Sequence, residues 1–245
     1  MRLFFAGAEQ KEYIEVLRNA HARNILQSYF YLGKKAPIDW VEMLLIDSGG
    51  YTARKHNKPI DVKLYAEYLN THNPILAFNL DTNDLQETLD NQAYLCSVVK
   101  NTKIIPIYHA SDWMNGDEYL LDQFVKEFDY IALGGTAGMP ITETQQIEFY
   151  KSVFRVTQNR VKVHGLGCTA RRLLMRFPFY SVDSTHWQNM GRYGESIAEK
   201  DKLFVKYKSR NIHRSINALD EIAAWQRVEA EMTKLWKGRG FVWKD

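Results

Sequence analysis

Residues 42–51 read EMLLIDSGGY, an aliphatic run that ends in a carboxylate and continues directly into two glycines. Short unbroken apolar runs bounded by turn residues are typical of strands that are buried on both faces. Asp47 stands where such a strand would end, and Gly49-Gly50 mark the turn that follows it. The segment therefore predicts a buried parallel strand that carries a carboxylate at its carboxyl end.

Strand-like and helix-like stretches alternate along the rest of the chain. Strands are predicted at 2–7, 42–47, 74–81, 103–109, 130–135, 161–167, 179–184 and 202–207. Helices are predicted at 62–70, 84–100, 117–128, 142–157 and 170–177, followed by a terminal helix at about 215–237 with Gly238 as its C-cap, and Thr142 with Gln145 forms a candidate capping box. This order favours parallel pairing with right-handed crossovers. We therefore expect a single α/β domain over residues 1–245, a (β/α)8 TIM-like barrel closed by the C-terminal helix.

Composition narrows the class of protein. The chain has 245 residues, 45% of them hydrophobic and 25% charged, as is typical of a globular domain. No apolar run reaches the length of roughly 18 residues that spans a membrane, and the first residues favour a strand over a secretory signal. Cys96 and Cys168 lie far apart without a Cys/His cluster, which argues against a disulfide scaffold and against a bound metal. We therefore expect a cytoplasmic protein that has no membrane association.

Positive charge is concentrated in one part of the chain. Residues 151–215 contain 14 Lys and Arg but only 4 Asp and Glu, whereas the whole chain has a net charge of +3. This asymmetry predicts a polyanionic partner, although a solvated surface whose charges do not cluster is the alternative. The candidate nucleic-acid contacts are Arg171, Arg172, His186, Trp187, Arg192, Lys206 and Lys208. For His186 and Trp187, an ordinary loop with a half-buried tryptophan is an equally good interpretation.

Three predicted strands end in carboxylates, and these ends meet at one mouth of a parallel barrel. Asp47, Asp81 and Asp183 are the residues concerned. One strand-end Asp is explained by helix capping, but three beside aliphatic runs favour a function. Paired carboxylates suit glycosidic chemistry, in which one attacks the sugar and the other moves protons. Glycines at the neighbouring ends would admit a flat ligand, with Tyr51 and His164 offering aromatic faces to it.

The motif DSGGY at 47–51 resembles the Asp-Ser-Gly-Gly-Phe/Tyr pattern of the tRNA-guanine transglycosylase family. Further segments resemble that family in the same order: ILAFNLD at 75–81, YIALGGTAG at 130–138, KVHGLGCT at 162–169 and FYSVDSTHW at 179–187. The resemblance covers roughly residues 1–210, the length of one barrel domain.

The resemblance implies roles for individual residues. Asp183 would be the nucleophile that attacks C1′ of a nucleotide and expels guanine, and Asp47 would be the general acid and base. The implied base-binding residues are Tyr51 on one face of the base, His164 on the other, the backbone of Gly134 and Gly135, His109, and either Asn79 or Asp81.

Two departures from the family change the expected substrate. The family's zinc site, Cys-x-Cys-x-x-Cys plus His, and the insertion that carries it are missing, and the chain is shorter than the tRNA enzymes. It more closely resembles the compact zinc-free DNA 7-deazaguanine transglycosylases of phages and bacteria. That resemblance implies a transferase that acts on DNA and on a free 7-deazaguanine base such as preQ0, and that needs no cofactor. It also implies that the protein works in the host cytoplasm if it is encoded by a phage. A tRNA substrate, a non-catalytic nucleic-acid-binding subunit, an unrelated barrel hydrolase and a homo-oligomeric state are left open.

Overall fold

The computed structural model describes residues 1–136, 141–188 and 214–243, together with the backbone of residues 195–196 and 205–206. In the last helix, side chains are described from residue 218 onward. The strands of the main sheet are β1 (Arg2–Ala6), β2 (Asn24–Ser28), β3 (Met43–Asp47), β4 (Leu76–Phe78), β5 (Lys103–Ile105), β6 (Ile107–His109), β7 (Tyr130–Gly134), β8 (Lys162–Gly165) and β9 (Ser181–Ser184). They pair in the order β5-β4-β3-β2-β1-β9-β8-β7-β6, and every pair is parallel.

The two outermost strands of this sheet, β5 and β6, are consecutive in the chain and are separated by Pro106 alone. β5 pairs with β4, whereas β6 pairs with β7, so the sheet curves round into a nearly closed α/β barrel. Pro106 has no N–H to donate, which interrupts the predicted strand 103–109. Its carbonyl accepts a hydrogen bond of 2.8 Å from Ala132 N and so extends the ladder between β6 and β7.

Helices cover the outside of the barrel. They are α1 (Lys11–Asn19), α2 (Tyr29–Leu32), α3 (Gly50–Lys55), α4 (Val62–His72), α5 (Leu85–Val98), α6 (Ala110–Asn115), α7 (Glu118–Glu127), α8 (Glu143–Thr157), α9 (Arg171–Leu174) and α10 (Arg214–Gly238), with a 3-10 turn at His186–Gln188. The capping box of Thr142 and Gln145 at the start of α8 is confirmed. The predicted terminal helix is confirmed as α10, which packs against α1 and β1 and ends at Gly238 rather than before it.

Alternating side chains divide the core into an inside and an outside. The barrel interior is filled by Phe4, Ala6, Leu26, Leu45, Leu76, Phe78, Ile105, Ile107, Tyr130, Ala132 and Tyr180. The intervening strand residues pack outward against the helices, such as Leu3 and Ile131 on one side of the barrel and Ile46 and Ala77 on the other. This two-sided burial explains why the strands read as continuous apolar runs.

Two strand assignments need correction. The predicted strand 202–207 is wrong as a barrel strand, because β11 (Val205–Lys206) pairs antiparallel with β10 (Glu195–Ser196) in a separate two-stranded ladder. The strand that takes its place in the barrel is β2, with the sequence NILQS. Its polar residues obscure the continuous apolar run that identifies the other strands. Gln27 is nevertheless tolerated in the interior, because its amide donates to Ala8 O and accepts from Ile38 N.

The glycine pair after β3 is required by the packing of the chain on itself. Gly49 has φ +82°, and a Cβ there would lie 2.4 Å from Phe30 Cβ. A Cβ at Gly50 would lie 2.6 Å from the carbonyl oxygen of Asp81. The expectation that this pair clears space for a flat ligand is therefore corrected, because the protein itself fills that space.

Substitution of Gly49 by alanine should destabilise the protein more than substitution of a glycine that has the same backbone conformation and open surroundings. Gly116 is the matched control, since its φ is +87° and nothing lies within 4 Å of an added Cβ. We expect Gly49→Ala to lower the free energy of unfolding by about 2–4 kcal/mol and Gly116→Ala by about 1 kcal/mol. Urea unfolding of both variants measures the difference, and equal losses would show that the contact with Phe30 is unimportant.

Candidate functional site at the carboxyl ends of the strands

Side-chain alternation turns the last residues of several strands towards the mouth of the barrel. Leu45, Ile107 and Ala132 lie in the barrel interior. The residues two positions further along these strands therefore face the same way. They are Asp47, His109 and Gly134, and Asp183 follows the interior residue Ser181 by the same rule.

Asp183 is held by two donors on one of its oxygens. Oδ1 lies 3.1 Å from His164 Nε2 and accepts a 2.8 Å hydrogen bond from Gly167 N. The carboxyl side chain is 13% exposed. Since no described residue hydrogen bonds to Oδ2, that oxygen is the one available to a ligand in the mouth.

Asp47 lies in an environment that favours its protonated form. Burial and the nearby charge of Asp81 raise its pKa from 3.8 to about 7, and the charges of Asp183 and Glu9 act in the same direction. The hydrogen bond from the Gly49 backbone opposes the shift without cancelling it. A carboxyl group with a pKa near neutrality can both give and accept a proton, which is the property of a general acid and base.

The pKa of Asp81 is shifted in the opposite direction from that of Asp47. Its burial disfavours the charged form, but contact with His109 and the charge of Arg54 outweigh this effect and hold the pKa of Asp81 below its ordinary value. Oδ2 of Asp81 lies 3.1 Å from His109 Nε2 and 3.5 Å from Arg54 Nη2. Arg54 also donates to the Asp81 carbonyl at 2.5 Å, so the three side chains form one fixed polar cluster.

Sequence reasoning missed two members of the mouth. Glu9 follows β1 and accepts a 2.8 Å hydrogen bond from Ser28 N, and burial raises its pKa despite this bond. Glu9 is found in the sequence if the polar residues after the first strand are considered together with those at the other strand ends. Arg54 lies on the helix that DSGGY begins, and its partner Asp81 is distant in sequence, so no local signal identifies it.

Asn79 and Asp81 lie on different sides of the barrel wall. Asn79 is 1% exposed and donates from Nδ2 to Thr88 O on α5, so its amide points to the outer helices. Asp81 lies at the mouth with His109 and Arg54. Asn79 is therefore corrected as a base-binding candidate.

His164 is also corrected. Its side chain is fully buried in the barrel, where its ring contacts Phe4 and Phe78. Both ring nitrogens have partners, Ser181 Oγ at 2.6 Å and Asp183 Oδ1 at 3.1 Å. No face of the imidazole is available to stack on a base.

The remaining base-binding candidates differ in their solvent exposure. Tyr51 is 68% exposed. Gly134 is buried against His109, because a Cβ there would lie 2.7 Å from the imidazole ring. Gly135 is partly exposed with φ +73°. Their roles towards a base stay predictions.

The candidate nucleic-acid contacts do not form one free basic surface within the described residues. Arg171 pairs with Glu231 at 3.2 Å, and Arg172 pairs with Glu143. Trp187 is corrected as a contact, because it is fully buried and donates from Nε1 to Ala6 O. His186 is partly buried near Trp225.

The side chains of the other three basic candidates are not among those that the structure describes. Arg192 and Lys208 lie outside the described residues, and for Lys206 only the backbone of β11 is described. Within the described ranges, no three His, Cys, Asp or Glu side chains are grouped as metal ligands would be. None of the helices in those ranges is long and apolar enough to cross a membrane.

The fold and the mouth define an α/β barrel with four carboxylates at the carboxyl ends of its strands. No protein-family model matches the chain. Over 165 residues it is 28% identical to "Uncharacterized protein 306" of Sulfolobus islandicus rod-shaped virus 1, a match that covers 64% of this chain and 53% of the viral protein. The chain thus spans about half the length of that curated relative.

The raised pKa of Asp47 predicts a pH-dependent stability. Between pH 3.8 and about 7 the native state holds a proton that the unfolded chain loses, so this residue makes stability fall as pH rises through that window. Asp47→Asn removes the ionisable group. We expect the variant to be more stable than the unmodified protein by about 1–3 kcal/mol near pH 8 and the gap to close towards pH 4.

Urea unfolding at several pH values measures this gap. Asp39→Asn, at an exposed carboxylate, is the matched control and should change stability little throughout. An Asp47→Asn protein that is less stable than the unmodified chain near pH 8 would contradict the assignment.

Proposed function

We propose that this chain is a base-exchange transglycosylase that replaces guanine in DNA with a 7-deazaguanine base of the preQ0 type through a covalent ester on Asp183. The observation that carries the proposal is the pairing of two unlike carboxyl groups at one mouth. Asp183 is fixed through Oδ1, no described residue hydrogen bonds to its Oδ2, and Asp47 is placed where it holds a proton near neutral pH. Glycosidic exchange needs a nucleophile and a proton donor of this kind.

The first step breaks the bond between the sugar and guanine. Oδ2 of Asp183 attacks C1′, the electron pair of the C1′–N9 bond leaves with the base, and Asp47 gives its proton to the departing ring. In the second step Asp47 takes a proton from the incoming base, which attacks C1′ and displaces the Asp183 carboxylate. Protons and charges balance over the cycle, so the exchange needs no redox change.

The cluster of Asp81, His109 and Arg54 supports recognition of a purine edge. Asp81 is ionised and therefore only accepts hydrogen bonds, as from the N–H groups of a guanine-like ring. Its partners hold it in one orientation at distances of 3.1 and 3.5 Å. The exposed ring of Tyr51 would stack on the same base, and the backbone of Gly135 would border it.

The proposal includes the finer fold and the family. Counted as one strand bent at Pro106, β5 and β6 give eight barrel strands, and the chain would be a single (β/α)8 domain. It would be a compact zinc-free relative of the tRNA-guanine transglycosylases that works in the cytoplasm. Since Arg171 and Arg172 have acidic partners, phosphate binding is proposed for the rest of the basic segment, including Arg192, Lys206 and Lys208.

Incorporation of radiolabelled guanine into DNA tests the proposed function. We expect the unmodified chain to label duplex DNA and Asp183→Asn to lower the rate at least about 1000-fold, with a comparable loss for Asp47→Asn. Asp129→Asn is the matched control, since that residue precedes β7 at the opposite end of the barrel and should label DNA normally. A denaturation-resistant protein–DNA adduct would identify the ester.

The same assay separates the rival functions. Label that enters tRNA but not DNA would identify a tRNA enzyme. Label in neither nucleic acid, with nucleic acid still bound, would favour a non-catalytic binding subunit. Either result would overturn the proposal.

A further inference from the structure

Four side chains form a continuous hydrogen-bonded series through the interior of the barrel. Asp183 Oδ1 lies 3.1 Å from His164 Nε2, His164 Nδ1 lies 2.6 Å from Ser181 Oγ, and Ser181 Oγ lies 2.5 Å from the Tyr130 hydroxyl. His164 and Ser181 are fully buried, and Tyr130 is 2% exposed. The series therefore runs from the mouth at Asp183 to the start of β7, and the three side chains behind Asp183 are shielded from bulk water.

With Asp183 as a carboxylate and His164 as a neutral ring, the chemistry of each group sets the direction of every hydrogen bond in this series. Asp183 as a carboxylate only accepts, so His164 must donate from Nε2. In the neutral ring Nδ1 is then an acceptor, and the Ser181 hydroxyl must donate to it. Ser181 Oγ in turn accepts from Tyr130. One arrangement satisfies all four groups: Tyr130 to Ser181 to His164 to Asp183.

Packing holds the imidazole in the plane that this arrangement requires. The ring of His164 lies between Phe4 and Phe78, at centroid distances of 5.9 and 5.0 Å. Rotation of the ring would break both buried hydrogen bonds and leave buried polar groups unpaired, which is unfavourable. The imidazole is thus restricted in both orientation and tautomer.

We infer that His164, Ser181 and Tyr130 are positioning residues that keep two N–H donors, His164 Nε2 and Gly167 N, aimed at Oδ1 of Asp183. The inference rests on the proposed function for its consequence in catalysis. In the first step Oδ2 forms the ester and Oδ1 becomes its carbonyl oxygen. In the second step the ester breaks and negative charge returns to the carboxylate, where donors already in place stabilise it. The series therefore acts on turnover rather than on binding of DNA.

Nitrogen-15 NMR of the histidine side chains tests the arrangement without any activity. We expect the unmodified protein to show His164 as a neutral ring that carries its proton on Nε2. Tyr130→Phe removes the donor to Ser181 and frees that hydroxyl to accept from His164 Nδ1, so a fraction of the rings should become doubly protonated while Nε2 keeps its proton towards Asp183. A proton on Nδ1, or a doubly protonated ring, in the unmodified protein would overturn the inference.

Tyr180→Phe is the matched control. Tyr180 also lies in the barrel interior with its ring 5.3 Å from that of Tyr130, but its hydroxyl accepts from Arg2 Nε and lies outside the series. This variant should keep the His164 tautomer of the unmodified chain. Should both variants change the spectrum equally, general loosening of the interior would explain the result and the inference would be wrong.

Exchange kinetics then test the catalytic consequence. We expect Tyr130→Phe to lower kcat about 3- to 10-fold and Ser181→Ala about 10- to 100-fold, with KM for DNA unchanged, whereas Tyr180→Phe keeps both values. A rise in KM at constant kcat would contradict a role in turnover. If the NMR result holds but no variant and no unmodified protein exchanges guanine, the arrangement is correct and the proposed function is wrong.

Discussion

Side-chain alternation along parallel strands is the constraint on which the acidic mouth depends. Each strand sends every second residue into the barrel, so a carboxylate at the end of a strand faces the mouth when it stands two positions after an interior residue. Asp47 and Asp183 meet this condition after Leu45 and Ser181. A slip of one residue in either strand would turn its carboxylate out towards the helices. The pairing of Phe4 with Asp183 in the register of β1 and β9 prevents such a slip on one side.

Four carboxylates at one mouth repel one another, and the contacts that offset this repulsion differ from one carboxylate to the next. Asp81 has a histidine and an arginine beside it, and Asp183 has two N–H donors. Glu9 and Asp47 each accept from backbone amides, but burial outweighs these bonds and raises the pKa of both groups. Groups of the same chemical type thereby acquire different proton affinities, which is how a single site can contain both a nucleophile and an acid.

The sequence predicts the parts of this structure that depend on local pattern. Apolar runs locate most of the strands. Asp47 and Asp183 are found because the carboxyl ends of parallel strands meet at one mouth. The sequence pattern mispredicts the position of a polar residue when its hydrogen-bond partners lie elsewhere in the chain. Gln27 looks unsuitable for a core strand until its two backbone partners are known, and β2 was missed for that reason. His164 looks like a ligand-binding ring until its contacts with Ser181 and Asp183 show that it is a buried support.

Pro106 lets one stretch of chain pair with a different neighbour on each side of the proline. β5, before it, pairs with β4, and β6, after it, pairs with β7, while β5 and β6 do not pair with each other. Closure of the barrel therefore depends on two short ladders that belong to one bent strand. If one ladder opens, the other still holds the strand, so the freed edge keeps a high effective concentration near its partner. Such an opening can close again before another chain joins the exposed edge.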